Sequence, residues 1–374
     1  MKIEHFKMER MQSTWENEVE YNLSESGVHP LTLREFLSGD EVRELEAIPL
    51  GYSQSNGSPE LREQIARLYP GASLDHVLVT NGSSEANYLL MWSNIEPGDE
   101  AVFMMPNYMQ MWGLVRGFGS ALRPLWLKES LGWAPDLDEL HQLVSPKTKL
   151  IIVTNPNNPT GAVLSAEAMS AIVEAAARVG AWIVADEIYQ GAERVGGTTP
   201  SFWGRYDRTL VVNGLSKAYG LPGIRIGWIV APKEFISKTW PYHDYTTISP
   251  GVLSDRIARI ALSPTNREKI LKRTRSIIQN NFALLESWLN KRAEFFSYVP
   301  PQAGAIAFVR YALKTNSTEL VTRLINEKST LIVPGDHFEM DRYLRLGFGS
   351  EPAYLESGLT RVGALFAELK TTAR

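Results

Sequence analysis

The stretch Lys149-Leu150-Ile151-Ile152-Val153-Thr154-Asn155-Pro156-Asn157-Asn158-Pro159-Thr160-Gly161 joins an apolar run to a turn rich in amides and prolines. Leu150–Val153 is apolar without alternation, as expected of a strand covered on both faces in a parallel sheet between helix layers. Similar runs recur at Val77–Thr80, Glu100–Met104, Ala181–Ala185, Thr209–Val212 and Gly227–Ala231. Helical patterns lie between them. One covers Ser165–Val179, with Ser165 as its cap and Gly180 as its stop; another covers Ser84–Asn94 and ends before Pro97-Gly98. Short strands alternating with longer helices predict βαβ units and an α/β fold.

Ligands of open α/β sheets bind beyond the carboxyl ends of the strands. The residues just after each apolar run are therefore the informative ones. Asn158 comes after one strand, Asp186-Glu187-Ile188-Tyr189 after the next, and Asn213-Gly214-Leu215-Ser216-Lys217 after the third. Asn158 to Asp186 is 28 residues and Asp186 to Lys217 is 31. Each interval holds about one helix and one strand of a βαβ unit. An amide, a carboxylate and an amine are thus expected on one rim. Taken singly, Asp186 reads as well as a helix cap, Lys217 as a solvated lysine and Asn158 as a turn former. Arg225, eight residues after Lys217, adds a cation to the same neighbourhood.

Beyond about residue 255 the texture changes. A charged amphipathic stretch runs from Ser254 to about Lys291, broken at Ser263-Pro264. Short strands are expected near Ala305–Arg310, Leu331–Val333 and Tyr343–Gly347, with helices at Ser317–Lys328 and Ser357–Lys370. The expected division is a large α/β domain over 46–270 and a smaller α+β domain from 1–45 and 271–374. Composition narrows the function. In 374 residues, Lys plus Arg is 38 against 42 Asp plus Glu, a formal net charge of -4 with no basic stripe. A nucleic-acid partner is not expected. There is no cysteine, which excludes a disulfide scaffold, a Cys-ligated metal and a thiol nucleophile; no metal is expected. The first ten residues lack the apolar core of a secretory signal. No run of 18 apolar residues marks a membrane span, so a cytoplasmic protein is expected. No Gly-x-Gly-x-x-Gly comes after a strand, which argues against a dinucleotide-binding protein.

Asn155-Pro156-Asn157-Asn158-Pro159-Thr160-Gly161, Asp186-x-x-Tyr189 and Ser216-Lys217 with Gly223-Ile224-Arg225-Ile226-Gly227 after it resemble the class I/II aminotransferases of fold type I, which use pyridoxal 5'-phosphate (PLP). The likeness runs from about Tyr52 to Arg345. It implies a mostly parallel seven-stranded sheet and transfer of an amino group from an L-amino acid to a 2-oxo acid. Lys217 would form the Schiff base with PLP and move the Cα proton. Asp186 would pair with the pyridinium nitrogen, while Tyr189 and Asn158 would donate to the ring oxygen. Arg225 would hold the phosphate together with Asn81-Gly82-Ser83-Ser84, a turn that opens a helix. Tyr108 matches the aromatic that stacks on the ring. Arg345, in Tyr343-Leu344-Arg345-Leu346-Gly347, matches the arginine that grips the α-carboxylate. Tyr52 matches a tyrosine that reaches the phosphate of a neighbouring subunit, which implies a homodimer with shared active sites. A PLP-binding regulator without catalysis is a weaker alternative, since no basic domain is fused to either end.

Two departures stand out. Where relatives often carry a phosphate-binding serine three residues before the lysine, this chain has Gly214, and Ser216 is the candidate substitute. The N-terminal substrate loop reads Tyr21-Asn22-Leu23-Ser24-Glu25-Ser26-Gly27-Val28-His29-Pro30, with Gly27 expected at the turn near substrate. Glu25, with Glu16, Glu18 and Glu20 upstream, makes this region acidic. It reads either as a solvated face or as a carboxylate that meets a cationic substrate. Ser24–Val28 also resembles PLP enzymes that act on arginine, among them oxidases and a cyclase forming capreomycidine, so an oxidase, cyclase or lyase acting on a cationic amino acid is the alternative activity.

Overall fold

The apolar runs become strands buried along most of their length. The computed structural model describes residues 3–372; Met1, Lys2, Ala373 and Arg374, at the two ends of the expected small domain, lie outside the described residues. The main sheet runs in the spatial order Val77–Thr80, Gly227–Val230, Thr209–Gly214, Trp182–Asp186, Thr148–Thr154, Glu100–Met105, Ala121–Lys128 and Ala134–Pro135. The inner pairings from Thr209–Gly214 to Ala121–Lys128 are all parallel. Gly227–Val230 runs antiparallel to both neighbours, and Ala134–Pro135 runs antiparallel to Ala121–Lys128. The sheet therefore holds eight strands, not seven, the eighth being this two-residue edge piece.

One full strand has no counterpart among the runs read from sequence. Ala121–Lys128 carries Arg123 and Pro124 and is only partly buried over its first half. Proline is tolerated there because the strand lies near the sheet edge, where a missing N–H costs little. Helix Ala166–Val179 agrees closely with the reading. Ser165 Oγ accepts the Ala168 N–H, and Gly180 ends the helix in the left-handed region at φ 71°. The charged stretch near the C-terminus forms helices Val252–Ala261 and Pro264–Asn290, separated at Ser263.

A second, antiparallel sheet runs in the order Phe296–Tyr298, Ile306–Tyr311, Tyr343–Gly347 and Val333–Pro334. The expected strand near Leu331–Val333 is split. Thr330–Leu331 pairs in parallel with Tyr21–Asn22, and only Val333–Pro334 joins the four-stranded sheet. This tie draws the N-terminal segment against the C-terminal third of the chain. Residues 23–27 continue along the same edge. A Cβ on Gly347 would collide with the Glu25 carbonyl oxygen, and one on Gly349 would collide with the Gly27 carbonyl oxygen. Glycine is required where two backbones approach this closely. No described helix is long and apolar enough to cross a membrane.

Gly214 has a similar explanation. A Cβ there would come within 2.8 Å of the Ile226 carbonyl oxygen and 3.0 Å of the Gly227 Cα. Both contacts are backbone, so they yield poorly. Gly214→Ser is expected to lower stability by about 1–3 kcal/mol through overpacking. The readout is a lower denaturation midpoint at unchanged slope; an unchanged midpoint would show that the strand crossing accepts a side chain.

Candidate active site

Parallel strands deliver their carboxyl ends to one rim, and a cavity of about 260 Å³ opens there. Its wall includes Lys217, Asp186, Tyr189, Asn158, Arg225, Ser83, Ser84, Ser216, Tyr108, Arg345 and Glu25. Gly27 lies just behind the wall: a Cβ on it would be 3.6 Å from the Lys217 Cδ. Tyr52 is not part of this lining and is 89% exposed.

Asp186 ends its strand and is buried. Burial pushes its carboxyl up to about 6, against the opposing pull of the Ile188 N–H, the Asn87 amide and the charge of Lys217. The next residue, Glu187, shows how strand alternation separates neighbours. It is buried outside the cavity lining, accepts hydrogen bonds from Ser201 Oγ at 3.0 Å and Phe202 N–H at 2.8 Å, and is pushed up to about 8 by burial. Lys217 is half-buried in the cavity wall and makes no ion pair with a described residue. The Tyr189 hydroxyl is buried without a partner.

Arg345 reaches the cavity from the antiparallel sheet. It is 1% exposed. Its guanidinium donates to Asn158 Oδ1 at 2.9 Å and to the Ser24 carbonyl at 2.6 Å, while Nε has no partner. No described carboxylate pairs with it, and burial lowers its pKa. Burying an unpaired ion costs several kcal/mol. A negatively charged ligand group would relieve that cost. Arg225 lies beside the turn before helix Ser83–Asn94. Gly82 allows this approach, since a Cβ there would collide with the Arg225 guanidinium. The first turn of that helix leaves N–H groups without intrahelical partners. Together they make a site for an anion.

The wall also contains residues that sequence reasoning passed over or did not place. Helix Lys7–Trp15 brings Met8, Glu9 and Gln12 to the cavity, and Glu16 lies at its end. Gln12 donates to Ser24 Oγ at 2.9 Å, and the Tyr108 hydroxyl donates to Glu9 at 2.9 Å. The spacing of Met8, Gln12 and Glu16, four residues apart, was the available signal of one helical face. Glu18 and Glu20 lie away from the lining, and Glu20 pairs instead with Arg361 at 2.6 Å. Glu16 is raised by burial and by the nearby charges of Glu25 and Glu9.

Residues 49–362 match the family described as aminotransferase class I and II. The chain is 33% identical over 358 residues to capreomycidine synthase of Streptomyces vinaceus, covering 94% of this chain and 90% of that protein. A PLP-dependent aminotransferase from Streptococcus suis superposes with a TM-score of 0.93 at 35% identity, covering 98% of this chain and 99% of the other. The PLP-dependent cyclase OrfR superposes with a TM-score of 0.89 at 29% identity, over 98% of each chain. The cavity suits PLP. It offers a half-buried lysine, a carboxyl raised by burial, an unpartnered tyrosine hydroxyl and an anion site formed by a helix N-terminus and an arginine. The chain belongs to the class I and II aminotransferases, enzymes that depend on pyridoxal 5'-phosphate.

Proposed function

We propose that this enzyme transfers the amino group of an L-amino acid to a 2-oxo acid. The observation that carries this reading is the buried Arg345 guanidinium, without a described carboxylate partner, in the same cavity as Lys217 and Asp186. Arg345 would hold the α-carboxylate of an amino acid by paired hydrogen bonds. Held at that end, the substrate would present its Cα–H to Lys217. When bound, PLP supplies the electron sink for the charge that develops at Cα.

The chain's own residues would do the rest. The Lys217 amine would tie down the cofactor and carry the proton from Cα. Asp186, ionised, would pair with the ring nitrogen. Tyr189 would donate its hydroxyl to the ring oxygen, and so would the Asn158 amide, whose Oδ1 is already occupied by Arg345. Tyr108 would cover the ring. Ser83, Ser84, Ser216 and Arg225 would hold the phosphate. Tyr52 would act on the phosphate of a second copy, so the active form would be a homodimer with shared sites. Leu50, Tyr52, Tyr245, Ile248 and Leu253 are exposed apolar side chains, which supports an association surface.

A second reading is favoured by one observation. Glu9, Glu16 and Glu25 line the cavity, and none of them forms an ion pair with a described residue. A cationic amino acid such as arginine would neutralise them. Such a substrate, together with the similarity to a capreomycidine synthase and to a PLP-dependent cyclase, supports an oxidase, cyclase or lyase outcome as the alternative.

Three experiments test these readings. Lys217→Ala is expected to abolish multiple turnover with any amino acid; normal turnover would overturn the mechanism. Air-free incubation of the enzyme with single amino acids and a 2-oxo acid distinguishes the outcomes. Transamination yields a new amino acid from the acceptor, whereas a product formed without acceptor, or only on admitting oxygen, selects the alternative. If the substrate is cationic, Glu16→Gln with Glu25→Gln is expected to raise its KM roughly tenfold or more, the loss of a charge-assisted contact, while a neutral amino acid is unaffected. An equal change for both would remove the charge argument.

Asp186 sets a pH dependence. Its carboxyl is raised to about 6 in the folded protein, so its ionisation opposes folding, and stability from this group falls as pH rises from the ordinary aspartate value to about 6. Pairing with a ring cation needs the carboxylate. PLP affinity relative to Asp186→Asn is therefore expected to rise between about pH 5 and about pH 7 and then level off. A wild-type advantage that stays flat over this range, measured by equilibrium dialysis, would contradict the assignment.

A further inference from the structure

Outside the cavity lining, a fully buried histidine meets a buried glutamate. His243 has no exposed side-chain surface, and Glu85 has 8%. Nε2 of His243 lies 3.2 Å from Glu85 Oε2, and Nδ1 lies 2.8 Å from the Ser55 carbonyl oxygen. Nε2 also lies 3.2 Å from Thr247 Oγ1. Glu85 Oε2 also accepts the Asn81 N–H at 2.6 Å. Oε1 accepts the hydroxyls of Thr246 at 2.6 Å and Thr247 at 2.7 Å. The Asn81 amide donates to Thr247 Oγ1 at 2.6 Å and to the Ser249 carbonyl at 3.2 Å. Burial alone would raise the Glu85 carboxyl, but the donors outweigh it and hold it down at about 2.

These contacts tie three segments, at Ser55, Asn81–Glu85 and His243–Ser249, around the Glu85–His243 pair, with Asn81 held from two of them. Asn81 opens the turn that leads into helix Ser83–Asn94, whose first residues face the cavity beside Arg225. The loop that supplies Thr246 and Thr247 is held in a costly shape. Ile248 has φ 68°, a left-handed conformation that a β-branched residue rarely adopts. Its N–H donates to the His243 carbonyl at 3.2 Å. The placement of Glu85 also poses an electrostatic problem. A carboxylate in the first turn of this helix adds negative charge close to the anion site. The imidazole and the surrounding donors offset that charge, so Glu85 can orient Asn81 without repelling an anion.

We infer that Glu85 and His243 are positioning residues for the phosphate of the cofactor: Glu85 orients Asn81 and the turn into the helix, and His243 screens the charge that does so. The inference rests on the reading of Ser83, Ser84 and Arg225 as the phosphate cradle. A residue that merely supports the fold would affect every ligand of the cavity alike. A residue that shapes the cradle affects only ligands that carry the phosphate.

The test titrates the cofactor-free protein with PLP and with pyridoxal, which lacks the phosphate. His243→Gln is expected to weaken PLP about tenfold and pyridoxal less than about twofold. Adding Glu85→Gln to that variant is expected to restore part of the loss, because the unscreened carboxylate is gone. Thr247→Ala, at an exposed position, is expected to give a smaller loss of the same selectivity, and it carries the test if His243→Gln does not fold. Equal weakening of both ligands, or no weakening of either, overturns the inference. Arg225→Ala serves as the control for the cradle. If that variant shows no phosphate-selective loss, the cradle reading itself fails, whatever the pair does.

Discussion

Strands that run parallel must all end on the same side of the sheet, and this constraint assembles the site. Thr148–Thr154, Trp182–Asp186 and Thr209–Gly214 lie side by side. The loops after them therefore open together, although Asn158, Asp186 and Lys217 are far apart in the chain. A hairpin arrangement would have sent alternate loops to opposite edges. The two helix layers remove water from both faces of these strands. As a result Asp186, at a strand end, is buried enough for its carboxyl to rise to about 6.

The second organising principle is charge left without a partner. Arg345 is buried with neutral acceptors only, and Lys217 has no described ion-pair partner. Arg225 donates to the Pro222 carbonyl at 3.0 Å, a neutral acceptor. For Arg345, which is buried, this is costly in the ligand-free protein, and a negative charge arriving from outside would offset the cost. The cavity is thus complementary to a molecule that carries a cation near Asp186 and anionic groups near Arg225 and Arg345. The acidic side chains from the N-terminal segment face the same space.

Most of the rim was legible in sequence because it depends on short-range patterns. The apolar runs marked the strands, and the polar residue just after each run marked the rim. Ser165 and Gly180 marked a helix at both ends. What was missed had weak local signals. Ala121–Lys128 contains Pro124 and is half-exposed, so neither propensity nor continuous apolarity revealed it. Helix Lys7–Trp15 has few buried residues of its own, and its inner face is defined only by the cavity it closes. The contacts of Gly214 looked like an absence in sequence. In the fold they are a requirement of the neighbouring strand.

By itself the sequence determined the α/β character, the strand-end residues Asn158, Asp186 and Lys217, and a resemblance specific enough to imply a cofactor. These depend on local spacing, which a linear chain records directly. Tertiary structure alone decided which acidic residues reach the cavity, why glycine stands at 214, 347 and 349, and that Arg345 is buried without a counter-ion. It also decided that His243 lies against Glu85, 158 residues away in the chain. Those facts depend on the approach of segments distant in sequence. Close packing and desolvation arise only where such segments meet, and neither leaves a periodic trace along the chain.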